Sequence, residues 1–216
     1  MRLTEQDRTF IATRVAALET RTGTQVVTAV VAKSDSYPEV PWKAFALGSA
    51  SAAMAVAAWE WFADPWSEAH SSLLHVLVIL GSGALFALAS VLSPRLARLF
   101  IDRARRDAEA TQFAQGLFFR HGLDRTRGRV GILLLVSLFE RKVVLLADAG
   151  FEGRIDPPHW HALTHRLTYV MRHRGTTAAL RAGLDALEAI LLIHGFAGDD
   201  NDNIFPDAVL ELTEGI

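Results

Sequence analysis

From Val130 to Ala147 the chain reads Val-Gly-Ile-Leu-Leu-Leu-Val-Ser-Leu-Phe-Glu-Arg-Lys-Val-Val-Leu-Leu-Ala. Two strongly apolar runs flank the polar step from Phe139 to Lys142, which is the pattern of a hairpin whose strands carry apolar side chains on both faces. Such strands need cover on both sides. A sheet built on this hairpin has to be sandwiched between helices, and the rest of the sequence has to supply them.

Helical signals lie on either side. Thr4 followed by Asp7, with Phe10, Ile11, Val15 and Leu18 at helical spacing, predicts a capped amphipathic helix that stops near Gly23. Pro157 and Pro158 open a second pattern carrying Trp160, Leu163, Leu167, Val170 and Met171. Thr176 is expected to cap a third, with Leu180, Leu184, Leu187, Ile190 and Leu191, ending before Gly195. A basic amphipathic helix is predicted over residues 96–119. Residues 25–32, Gln-Val-Val-Thr-Ala-Val-Val-Ala, read as a buried strand with no local partner, since Tyr37-Pro and Val40-Pro break the chain soon after. That lone strand must join the sheet built after residue 130.

The chain has 216 residues, 50% of them hydrophobic, and a formal charge of -2. The charge gives no bulk attraction for nucleic acid. Without cysteine there is no disulfide framework, thiolate zinc site or thiol nucleophile. The apolar excess sits in residues 44–63, with Glu60 as their one charge, and in residues 72–92, which are uncharged and hold His75. Each is long enough to cross hydrocarbon as a helix, so a two-helix transmembrane hairpin is expected. Small residues spaced by four, Ala44, Gly48 and Ala52, permit close approach, with Gly81 and Gly83 as the facing positions. Lys and Arg flank both spans and are absent from residues 64–70, which places both termini in the cytoplasm of an inner membrane by the positive-inside rule.

The expected organisation is an α/β domain made of residues 1–41 and 94–200, interrupted by the hairpin at 42–93 and followed by an acidic tail at 201–216. The sequence from Gly128 through Asp148-Ala-Gly-Phe-Glu152 resembles the core of the TPM domain, in particular its bacterial membrane-protein branch. The tail Asp-Asn-Asp-Asn-Ile-Phe-Pro-Asp207 is similar to the acidic ending of that branch. The resemblance implies a helix-sheet-helix sandwich. It implies either a binding, assembly or maintenance role for a membrane protein complex or a divalent-cation-dependent acid phosphatase. Where many relatives carry Asn-Gly before the strand, Arg129-Val130-Gly131 stands here.

Candidate chemistry is carried by carboxylates. Asp148, Glu152 and Asp156 follow a strand end, where α/β domains place ligands, and could hold calcium or magnesium through oxygen. Asp199, Asp200, Asp202 and Asp207 form the alternative cluster; it is no EF-hand, because Ile204 and Leu210 occupy the positions that need glycine and glutamate. His161 and His165 share a helix face at zinc-ligand spacing, with His159 and His173 nearby, yet no His-Glu-x-x-His pattern is present. Neither a nucleotide loop nor a Ser-His-Asp arrangement can be picked out, and Ser137 is read as a packing residue. The partners expected are the membrane and a membrane protein.

Overall fold

A computed structural model describes residues 3–62, 72–198 and 209–212. They fall into two compact units, Met1–Ser36 with Arg106–Ile216, and Tyr37–Arg105.

The first unit is the α/β domain. Helix α1 (Glu5–Thr22) opens with a capping box between Thr4 and Asp7 and ends at the left-handed Gly23. Strand β1 (Gln25–Val31) follows at once and is buried along its whole length. It pairs in parallel with β2 (Gly131–Ser137), whose antiparallel neighbour is β3 (Lys142–Ala147). The lone strand thus takes its partner from more than a hundred residues downstream. A fourth strand, β4 (Leu210–Leu212), pairs in parallel with β1 and completes the order β3-β2-β1-β4. Those residues were expected to be tail.

Alternation then decides which helix covers which face. Val26, Val30, Ile132, Leu134 and Val136 point to one side, against α1, α6 (Pro157–Arg174) and α7 (Thr176–Ile193). Val27, Ala29, Val31, Leu133 and Leu135 point to the other, against Ala110, Ala114, Leu117 and Phe118. Between α1 and α7, Arg14 and Arg21 both engage the buried Glu188 carboxylate. Thr176 lies inside α7, and the N-cap position belongs to Gly175, at φ 91°.

The second unit is a helix pair, α2 (Glu39–Phe62) and α3 (Ser72–Leu92). Pro41 does not break the chain as expected; it sits in the first turn of α2, where its missing N–H has no helical acceptor to lose. The two helices run antiparallel, with Gly48 against Phe86 and Ser82, and Glu60 paired with His75 at 3.3 Å. Gly83 meets Ser49 and Phe45, whereas Gly81 faces open space. Among the described residues one helix, α3, is long and apolar enough to cross a membrane. The segment expected as the other span, residues 44–63, is less apolar because it is rich in alanine and carries Glu60.

The basic helix predicted over residues 96–119 is interrupted. A short helix α4 (Pro94–Ala97) and a single 3-10 turn (Arg98–Phe100) lead to Ile101, which is extended at φ -120° and ψ 123°. The longer helix α5 (Arg103–Arg120) starts after it. The Ile101 side chain is buried at this break, which local helical periodicity does not reveal.

Candidate functional site

β3 ends at Ala147, and the next residue, Asp148, turns the chain. Its carboxylate accepts the Ala149 N–H at 2.7 Å and caps the turn Ala149–Phe151. Arg129 closes on the same carboxylate with two hydrogen bonds, Nε to Oδ2 at 3.1 Å and Nη2 to Oδ1 at 2.8 Å. Asp148 is buried and the Arg129 side chain is 59% exposed, so the pair is a sealed acid beneath an open guanidinium. The hydrogen bonds that Arg129 donates to Asp148, ahead of the charge of that carboxylate, raise the Arg129 pKa above the ordinary arginine value. Arg129 adopts φ 55° beside Gly128 at φ 73°, which turns its side chain back over the strand end. Gly150 permits the approach, since a Cβ there would stand 2.3 Å from the Gly128 carbonyl oxygen.

The other expected ligands are not gathered around Asp148. Glu152 lines a cavity of about 360 Å³ with Asp148, Phe151 and Trp160, but its side chain is exposed. Asp156 is exposed at the N-cap of α6, makes no side-chain capping bond, and does not line that cavity. Among the described residues no group of three His, Asp or Glu side chains could hold a metal ion. Two physical reasons separate the expectation from the structure. Arg129 occupies the Asp148 oxygens. In addition β3 is antiparallel, with Ala147 opposite Ile132, so its end lies with the beginnings of the parallel strands rather than with their carboxyl ends. His161 and His165 are exposed on α6, and His173 stacks on Tyr169 with ring centroids 4.1 Å apart. Asp199, Asp200, Asp202 and Asp207 lie outside the described residues.

A second polar constellation sits at the carboxyl ends of β1 and β2, and sequence reasoning missed it. Glu140, in the hairpin turn, is buried; its carboxylate accepts the Ser34 N–H at 3.0 Å and bonds the Ser137 hydroxyl. The Ser34 and Ser137 hydroxyls are 3.0 Å apart. Ser34 also lines a cavity of about 330 Å³ with Asp35, Glu109, Gln112, Phe113 and Arg120. In the sequence only the spacing of Ser137 and Glu140 across the turn hints at this arrangement. Nothing local announces Ser34, which the parallel pairing of β1 with β2 brings in.

Comparison with known proteins supports the fold. Residues 85–190 match the model of a family described as the TPM domain. Among solved structures the chain is similar to the BA42 protein from the psychrophilic bacterium Bizionia argentinensis, determined by NMR, with a TM-score of 0.57 and 11% identity over 98% of this chain and 96% of that one. At that identity the likeness concerns the fold alone. Curated proteins give no match to the sequence.

Proposed function

We propose, from the premise that residues 85–190 are a TPM domain, that this protein is a membrane-anchored TPM module. In this reading α2 and α3 form a two-span hairpin in an inner membrane, both termini are cytoplasmic, and the α/β domain holds or helps assemble another membrane protein. The observation that carries the anchoring is the inverted burial of α3. Its buried residues are Gly83 and Ser90, while Leu73, Leu77, Leu85, Val91 and Leu92 are exposed. A helix in water buries its leucines and exposes its small polar residues. The reverse pattern suits lipid outside and a close helix partner inside.

The orientation is supported by Arg95, Arg98, Arg103, Arg105 and Arg106 after α3, against residues 64–70 without Lys or Arg. Recognition is favoured over turnover because Asp148, the most buried of the strand-end acids, is already engaged by Arg129. Reporters fused within residues 64–70 should read as exported, and fusions at either terminus as cytoplasmic. Tagged protein drawn from solubilised membranes should bring a membrane protein with it. Cation-dependent release of phosphate from an aryl phosphate, lost in Asp148→Asn, would replace this role with a phosphatase.

A further inference from the structure

We infer that the cytoplasmic end of the helix pair is a headgroup-binding collar selective for anionic phospholipid. The inference rests on the membrane reading above and adds to it a lipid class. The Lys43 ammonium donates to the Phe100 carbonyl at 3.2 Å, which ties the start of α2 to the turn that follows α4. One end of the pair thereby collects Lys43, Arg95, Arg98 and Arg103.

Apolar side chains accompany these cations. Trp42 is 75% exposed, Leu99 78% and Leu96 41%. In water so exposed a set is costly, and in a cytoplasmic loop it serves no core. At a bilayer surface Trp42 belongs among the headgroups, and Leu96 and Leu99 reach the acyl boundary. The break at Ile101 matters here. It confines the segment from Pro94 to Phe100 to a single short amphipathic piece beside the end of α3, in place of a long helix leaving the surface.

Charge selects the lipid. Among the described residues neither Arg95 nor Arg103 has an acidic side chain within ion-pair distance, and both are exposed. Arg105, by contrast, is paired with Glu39 at 3.1 Å and lies over the Tyr37 ring, so it is spent inside the unit. Arginine offers a planar donor fork that fits a phosphate, and a zwitterionic headgroup returns a positive charge against it. A phosphatidylglycerol-type surface meets both the cations and the apolar set.

The test uses the full chain reconstituted in phosphatidylcholine bilayers, with spin-labelled phosphatidylglycerol or phosphatidylcholine as probe. Electron spin resonance reads the fraction of each label that the protein immobilises. The expected result is a several-fold preference for phosphatidylglycerol, weakened by salt and brought close to parity in Arg95→Gln/Arg98→Gln/Arg103→Gln. Equal immobilisation of the two labels by the wild-type chain, or a preference that survives the triple substitution, overturns the inference and leaves the anchoring intact. Absence of an immobilised fraction with either label overturns the anchoring and the collar together. Arg95 and Arg103 are exposed, whereas Arg98 is half-buried and donates its Nε–H to the Pro94 carbonyl at 2.9 Å, so an unchanged phosphatidylcholine signal is the control that verifies that the triple variant folds.

Discussion

The Glu140 carboxylate accepts the backbone N–H of Ser34 at 3.0 Å, joining a hairpin turn to the end of a strand 106 residues earlier in the chain. Both residues are buried, and the acid also bonds the Ser137 hydroxyl. It fastens the order of the two parallel strands from their carboxyl end. Removing it leaves a buried N–H and a buried hydroxyl short of an acceptor, at a cost of roughly 1–3 kcal/mol for each unsatisfied group. Glu140→Ala should lower the denaturation midpoint of the full chain in detergent more than Ser137→Ala does. Equal effects would mean that the Ser34 bond contributes nothing.

Asp148 and Arg129 make a competition that cation titration can read. A calcium or magnesium ion bound by Asp148 has to displace the guanidinium that now holds both of its oxygens. The thermal stability of Arg129→Ala should therefore respond to added cation more than that of the wild-type chain, and Asp148→Asn in the same background should abolish the response. A larger shift in the wild type would contradict this competition.

Gly48 and Gly81 lie on different faces of the helix pair. A Cβ on Gly48 would stand 2.9 Å from the Ser82 carbonyl oxygen, which is backbone and yields little, whereas one on Gly81 meets nothing within 4 Å. Gly48→Val should weaken the α2–α3 pair by about 1–3 kcal/mol, the usual range for overpacking. Gly81→Val should leave it unchanged. Thermal denaturation of the full chain in detergent reports the difference, and an equal loss in both variants would contradict the arrangement.

The Ala32 N–H donates to the Leu212 carbonyl at 2.9 Å, and Arg8 grips the Glu211 carboxylate with Nε at 2.9 Å and Nη2 at 3.1 Å. Truncation after Val209 should raise amide exchange at Ala32 toward that of an open strand edge. Arg8→Ala should do so partially. Protection of Ala32 that persists after truncation would remove β4 from the sheet.

The Asp7 carboxyl titrates below its ordinary value of 3.8, held down first by the Thr4 hydroxyl, against a smaller opposing effect of burial. A carboxyl with a depressed folded pKa adds stability above its unfolded value and loses it as pH falls through the folded one. The stability difference between the wild type and Asp7→Asn should be present above pH 3.8 and shrink as the pH drops below it. A difference that grows on acidification would reverse the sign.

The sequence by itself determined what depends on local chemistry. The Thr4–Asp7 capping box, the left-handed stop at Gly23, the hairpin around residues 138–141 and the sandwich required by two-faced strands are all readable from neighbours a few residues apart. The need of the residue 25–32 strand for a distant partner was also legible, because a buried strand cannot leave its N–H groups unpaired. Tertiary structure decided the rest. Strand direction placed Asp148 at the opposite end of the sheet from the Ser34–Ser137–Glu140 constellation, and Arg129, whose backbone had to enter the left-handed region, took the oxygens that the sequence had offered to a metal. A helix whose apolar spacing ran on unbroken is broken at the buried Ile101, and a three-residue strand emerged from a stretch that reads as tail. For β4 and for the Ser34–Glu140 bond the deciding partner lies more than a hundred residues away in the chain, and no local pattern encodes it.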